Sequence, residues 1–420
     1  MKVRRKLISR TMARNTVFPC IMLLVGVGVT ACGSSTTASV AQPQSSSSAI
    51  AKEETFTPSA TILEKAYGAA STTGIDQVAL AALVRAETPV NASTLNLAMK
   101  CYKDNVCDTG HGTLTVALAD GFGENAWRQV THMEFILQAL SYPQIRKIVY
   151  TDAQGSTTTA ISNMRSLIAQ KANVITGFMD AGNAMLPVIK EATSQGITVI
   201  PYTTSIGGTP GTDYTGFVGQ DLCKLGKDFA QIENQQLNGH GSLVLLGGTP
   251  GNPLTAAWQA CEKPALPSGI TVVGSADTSW TQQGTFQAMS GFLSRFPVIN
   301  GVSYEYADGF VGGLRAYKAG NRTPLNVVLT LRTDENDLFC QMKQLNDPTF
   351  KVFYGQGGSF QPRIALTAAM MKREGYPIAA NIVVPFSLQR ATASTCSPSL
   401  PSTAPVSTLV PSNVLKAMFP

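Results

Sequence analysis

Eight cysteines, three histidines and three tryptophans hold most of the chemical potential of this chain, and their spacing rules out more than it admits. No Cys-x-x-Cys occurs, and His111, His132 and His240 stand singly, so no zinc or redox centre is specified and neither metal nor cofactor is expected. GFGEN (121–125) and GTPGNP (248–253) are glycine-rich, yet neither completes a dinucleotide fingerprint or a phosphate loop with its Lys-Ser/Thr. There is no Gly-x-Ser-x-Gly elbow and no His-Glu-x-x-His, and no histidine neighbours a nucleophile, so catalysis is not expected. Two tryptophans are better placed: Trp127 follows a β-rich run in ADGFGENAW, and Trp280 follows another in ADTSW.

Beyond Cys20 and Cys32, six cysteines remain, an even number that suits a compartment permitting disulfides. Sequence leaves fifteen pairings open, and free buried thiols as well. The expected bridges are Cys101–Cys107, which closes a small loop, Cys223–Cys261, on neighbouring predicted helices, and Cys340–Cys396 by elimination.

The elements that must position these groups show a clear rhythm. Residues 56–112 read as an Ala-rich helical extension ending in the Cys101–Cys107 loop. Then short β-rich runs alternate with amphipathic stretches: TLTVALA, KIVYTD, NVITGF and ITVIPY, followed after a helical segment by SLVLLGG, ITVVGSA, GVSYEY and LNVVLTLR. Strand then helix, repeated, specifies right-handed βαβ units and a parallel sheet covered on both faces. The rhythm restarts halfway, so the fold class is α/β with two similar lobes, whose facing strand ends enclose a cleft.

The formal charge of +6 sits at the start: Lys2, Arg4, Arg5, Lys6, Arg10 and Arg14 have no acidic companion before residue 32. Without residues 1–31, 26 basic residues face 26 acidic ones, so attraction for nucleic acid has no basis. The apolar stretch Val17 to Val29 has the length of an export-signal core rather than of a membrane span. It ends in Val-Thr-Ala-Cys, which resembles the lipobox of bacterial lipoproteins and implies cleavage before Cys32 and acylation of its thiol. An ordinary secretory signal or an uncleaved anchor is the alternative. Residues 32–55 read as a flexible tether, placing the folded part outside the cytoplasm on a lipid-held N-terminus.

Three segments in order, TDAQGSTTTAISNMRSLIAQKANVITG, AMLPVIKEATSQGITVIPY and FLSRFPVINGVSYEYADGFVGGLRAYKAGNR, resemble the periplasmic sugar-binding proteins of the ribose- and galactose-binding type. The resemblance runs from Thr113 to Pro420. It implies a type I binding-protein fold with a three-stranded hinge: a first lobe of 113–203 plus 357–385, and a second of 204–356 plus 386–420, with crossings after Tyr202, at residues 355–358 and near Pro385. It also implies a monomer that binds a small sugar-like ligand and delivers it to the permease of an ABC transporter. A receptor feeding a membrane sensor kinase or chemoreceptor is the alternative, whereas a DNA-binding regulator would need a helix-turn-helix where the export signal stands.

In that family, flat rings cover the apolar faces of the sugar and polar groups fix its hydroxyls. The resemblance places Trp127, Trp280, Phe122, Asn125 and the hinge residue Gln356 at the ligand. Where relatives carry an Asp-Arg pair this chain has Thr203-Thr204, Asn252 stands where an Arg is usual, and an Asn-Asp pair reads Tyr306-Ala307, with Asp308 one place on and Glu305 one place before. The expected ligand residues therefore include Thr203, Asn252, Tyr306 and Asp308, and the loss of charged grips points away from a common hexose or pentose.

Overall fold

The computed structural model describes residues 55–123 and 125–420; the expected signal segment and Cys32 lie outside these residues. Three helices come first: α1 (Ala60–Tyr67), α2 (Gln77–Ala86) and α3 (Ala92–Lys103). Each starts where a short polar side chain, Ser59, Asp76 or Asn91, accepts a backbone N–H of the first turn that has no partner within the helix. The extension is not wholly helical. A disulfide joins Cys101 to Cys107, and the chain continues into β1 (Val106–Asp108), an antiparallel edge strand of the first sheet.

The first lobe follows as β2 (Leu114–Asp120), α4 (Ala126–Leu140), β3 (Ile145–Asp152), α5 (Thr157–Ala169), β4 (Val174–Gly177), α6 (Leu186–Ser194) and β5 (Thr198–Pro201), in the sheet order β1-β3-β2-β4-β5. Alternation along β2 decides which layer covers which face. Val116 and Leu118 pack in one cluster with Val130 and Ile136 of α4, while Ala117 and Ala119 pack in the other with Leu167 of α5 and Ile189 of α6.

The chain does not cross to the second lobe after Tyr202, as expected. Thr203 donates its amide to Val218, and β6 (Phe217–Gly219) pairs in parallel with a later strand, so residues 203–219 stay with the first lobe and the crossing comes just after Gly219. Backbone hydrogen bonding, invisible in the apolar pattern, moved the boundary.

The second lobe repeats the plan with α7 (Leu222–Gln236), β7 (Gly241–Gly247), α8 (Pro253–Glu262), β8 (Ile270–Asp277), α9 (Gln282–Arg295), β9 (Gly301–Tyr304), α10 (Ala307–Ala319), β10 (Val327–Leu331), α11 (Asn336–Leu345) and β11 (Phe350–Tyr354). Parallel pairing runs β11-β10-β9-β7-β8, and the Cys223–Cys261 disulfide ties α7 to α8. The chain then returns to the first lobe as α12 (Gln361–Arg373), which packs on α2, α4 and β5, and as β12 (Asn381–Val383), the partner of β6. It crosses a third time to β13 (Gln389–Arg390), an antiparallel edge beside β11.

The remainder does not settle in the second lobe. Cys396 is bridged to Cys340 of α11, and Asn336 and Ser407 donate backbone amides to Ala404 and to the Asp334 carboxylate. Yet Thr408 and Leu409 both donate to Glu134 of α4, at 2.7 Å each, and the last helix, α13 (Ser412–Met418), packs on α3. This C-terminal strap spans both lobes because the fully buried Glu134 must be paired, and Arg363 of α12 supplies its counter-charge. Replacing Glu134 by Ala should leave Arg363 buried without a carboxylate. A loss of about 3–5 kcal/mol in urea unfolding free energy is expected, and a variant within 1 kcal/mol of the parent would contradict this role.

Candidate functional site

The residues facing the gap between the lobes lie beyond the carboxyl ends of parallel strands, where open α/β sheets place their ligands. From the first lobe, Asn125, Trp127 and Arg128 follow β2 and Phe178 follows β4; from the second, Trp280 follows β8, Glu305 and Tyr306 follow β9, and Arg332 and Thr333 follow β10. These nine side chains enclose a void of only about 10 Å3, on a measure by which one water needs roughly 10–15 Å3. The cleft is shut on its own side chains.

Arg128 is its centre. The guanidinium is ion-paired to Asp120, donates to both oxygens of Asp180 at 2.8 and 2.9 Å, and lies 3.5 Å from the centroid of the Phe178 ring. Burial works against its charge, but the two aspartates more than offset this and hold it firmly protonated. Asp180 is pushed up to about 6 by burial, with Arg128 pulling the other way. Asn252, which caps α8 in the second lobe, donates its side-chain amide to Asp180 at 2.8 Å, so one carboxylate serves both the cation and the contact between lobes.

On the opposite wall, Glu305 is fully buried and accepts from Thr255 at 2.7 Å, Trp258 at 2.6 Å and Trp280 at 2.8 Å. Trp280 reaches this position through two consecutive left-handed residues, Ser279 (φ 53°) and Trp280 itself (φ 50°). Such backbone is held only where the surroundings determine it. The surroundings here include Gly248, where a Cβ would come within 2.0 Å of the indole. Among the described residues Arg332 makes only long hydrogen bonds to neutral groups, at 3.2 Å to the Gln220 side chain and 3.3 Å to the Gly357 carbonyl. Its Nε and the indole Nε1 of Trp127 are buried without hydrogen-bond partners among the described residues.

Of the residues singled out from sequence, Trp127, Trp280, Asn125 and Tyr306 line this cleft, and Asn252 reaches it through Asp180. Phe122 stands at its outer edge, with its ring 6.3 Å from that of Trp280. Three others lie elsewhere. Thr203, inside the first lobe, donates to Gln361 at the start of α12, and Gln356, in the hinge, presents its side chain to Gly68 and its carbonyl to Gln220. Asp308 accepts from Gln282 at 3.1 Å in the first turn of α10.

Charged side chains nonetheless line the cleft: Glu305, which the sequence reading had placed beside Tyr306, and Arg128 and Arg332, which it had not singled out, with Asp120 and Asp180 behind them. For Arg332 the signal was a charged residue directly after the apolar strand VVLTL; Arg128, in a helix that also carries Gln129, Thr131, His132, Glu134 and Gln138, had no comparable signal. Among the described residues no group of three or more His, Cys, Asp or Glu is placed to hold a metal ion.

Several buried carboxyls make folding sensitive to pH. Burial pushes Asp180 and Asp334 up to about 6 and Glu335 to about 8, from ordinary values of 3.8 for Asp and 4.5 for Glu, and it also raises the adjoining buried pair Glu233 and Glu262. Between those limits the folded chain holds protons that the unfolded chain has lost. Their stabilising contribution is therefore complete below the unfolded values and disappears as pH rises through 6 to 8. His132, lowered to about 3 from 6.5, opposes this only below pH 6.5. The melting temperature should fall between pH 6.5 and 8.5; a rise over that interval would contradict the assignment.

Residues 117–358 match the model of the periplasmic binding protein domain family. A curated relative, the xylitol-binding protein of Mycolicibacterium smegmatis, is 26% identical over 185 residues, which are 43% of this chain and 52% of that protein. The chain thus matches about half the length of that relative. Among solved structures, the periplasmic component of the arabinose ABC transporter from Shewanella sp. ANA-3, bound to arabinofuranose, superposes with a TM-score of 0.61 at 20% identity, covering 67% of this chain and 93% of that one. The fructose-binding periplasmic domain of a hybrid two-component system gives 0.59 at 18% identity, covering 66% and 90%. At such identities the likeness speaks for the fold alone, but the family model spans more than half of the chain. With its two parallel-sheet lobes and the cleft at their strand ends, this protein belongs to the periplasmic binding protein family.

Proposed function

We propose that the chain is the extracytoplasmic solute-binding component of an ABC importer, closing its two lobes on a small sugar or polyol without transforming it. One observation carries this reading. The cleft walls combine the rings of Trp127, Phe178 and Trp280 with Asn125, Arg128, Glu305 and Arg332, contributed by both lobes. Rings strip water from the C–H faces of a sugar, while charged and amide groups hold its hydroxyls by charge-assisted hydrogen bonds. The unpartnered donors, Trp127 Nε1 and Arg332 Nε, suit hydroxyl oxygens. Relatives whose names speak of xylitol and arabinofuranose agree with a ligand of this class.

The protein acts as a monomer held to the membrane by acylated Cys32, and its permease reads the surfaces of the two lobes when they are brought together. Among the described residues no helix is long and apolar enough to cross a membrane. A second reading, a receptor subunit for a sensor kinase or chemoreceptor, is favoured by the likeness to the fructose-binding domain of a two-component system. Uptake of labelled ligand by vesicles holding the permease separates the two.

A thermal-shift screen of pentoses, pentitols, hexoses and glycerol tests the reading. A true ligand at about a hundredfold excess over Kd adds about 2.7 kcal/mol to stability. Trp127→Ala and Arg332→Gln should each weaken that ligand at least tenfold. Unchanged affinity in both would remove the cleft from the binding account.

A further inference from the structure

Next to the inner cleft lies a second chamber of about 330 Å3, against about 10 Å3 for the cleft itself. Ligand pockets begin at roughly 300 Å3, so the larger of the two spaces is the one of ligand size. Its walls also come from both lobes: Phe122, the start of α5 and Asp180 on one side, and the loop Thr249–Gly251 on the other. The two chambers adjoin. Phe122 of the outer one faces Trp280 of the inner one at 6.3 Å, and Asp180 of the outer one is bonded to Arg128 of the inner one.

The chamber exists because Gly121, Ala153, Gly155, Ala160, Ala181 and Gly251 bring no side chain beyond Cβ to its wall. Its chemistry is narrow. No Lys, Arg or His lines it, so an acidic or phosphorylated group would find no cationic side chain there. The carboxylate of Asp180 is already engaged by Arg128 and Asn252, so it offers no grip to a cation. What remains is one aromatic face, Phe122, and the hydroxyls of Ser156, Thr157 and Thr249, a set suited to a neutral, hydroxyl-bearing unit.

We infer that the outer chamber is a second subsite, which takes a neutral glycosyl or polyol unit joined to the unit held in the inner cleft. The ligand class is then a two-unit glycoside rather than a free monosaccharide. This rests on the sugar-binding reading of the inner cleft and extends it. When the lobes part, the Phe122–Trp280 and Asp180–Asn252 contacts open together, which merges the two spaces for entry.

The test is calorimetry on the full chain with matched probes, xylose and xylitol against xylobiose, and fructose against sucrose. At least one two-unit probe should bind ten times more tightly than its own unit. Ala160→Trp fills the outer chamber from a half-buried position on α5, and Ala160→Leu fills it in part. The first should erase the two-unit advantage and the second reduce it, with the one-unit Kd within twofold of the parent. Two-unit probes that bind no better than single units, or Ala160 variants that weaken both lengths equally, overturn the second subsite and leave the inner cleft intact. Absence of binding by every probe of either length overturns the sugar reading, and the subsite with it.

Discussion

A buried guanidinium is the constraint around which this protein is arranged. Removing an arginine from water costs several kcal/mol unless carboxylates meet it in good geometry. Arg128 obtains them from Asp120, the last residue of β2, and from Asp180, just beyond β4. Two neighbouring strands must therefore end at the height of the first turn of α4, so the charge fixes where the sheet stops as well as what lies above it. Asp180 then accepts from Asn252 across the gap, which makes one carboxylate both the counter-ion of the site and a tie between the lobes. With Asp180 raised only to about 6, it stays ionised at neutral pH and the tie persists.

Motion in such a molecule is confined by its connections. Three crossings, just after Gly219, at residues 355–360 and between β12 and β13, make the hinge. Around them lies a cover that the twin-lobe plan does not require. Tyr67 of the helical extension meets Phe360 edge-on at 5.5 Å, Gly68 gives way to the Gln356 side chain, and the C-terminal strap joins residues 334–336 to Glu134. The strap is pinned at its start by the Cys340–Cys396 bridge. The lobes can part only as far as these tethers permit, so the closed arrangement is favoured by chain connectivity as well as by cleft contacts.

The sequence was legible where periodicity ruled. Alternating strands and helices gave the two lobes, because parallel strands buried on both faces read as unbroken apolar runs such as LVLLG. Trp127 and Trp280 could be placed at the cleft because position after a strand is enough to locate them. Gln356 and Thr203 could not. Gln356 sits in the hinge, where the direction of a side chain depends on the extension packed against it, and Gly68 lies far away in sequence, while Thr203 falls inside the first lobe because the crossing comes later. Arg332 and Arg128 escaped notice for the opposite reason: Arg332 sits one residue beyond an apolar strand and Arg128 in the first turn of a helix, and both positions read as solvent-exposed ends. Residues 203–219 were misassigned because the backbone pairing that holds them leaves no side-chain pattern, and the strap because the carboxylates that hold it, Glu134 and Asp334, lie far from it in sequence.

Opening and closing of one chain about this hinge is the central claim, and small-angle X-ray scattering of the protein with and without a ligand found by the screen tests it most directly. A smaller radius of gyration at saturating ligand, reversed on dialysis, is the predicted result. Identical scattering curves in the two states, with binding shown independently on the same sample, would contradict the account.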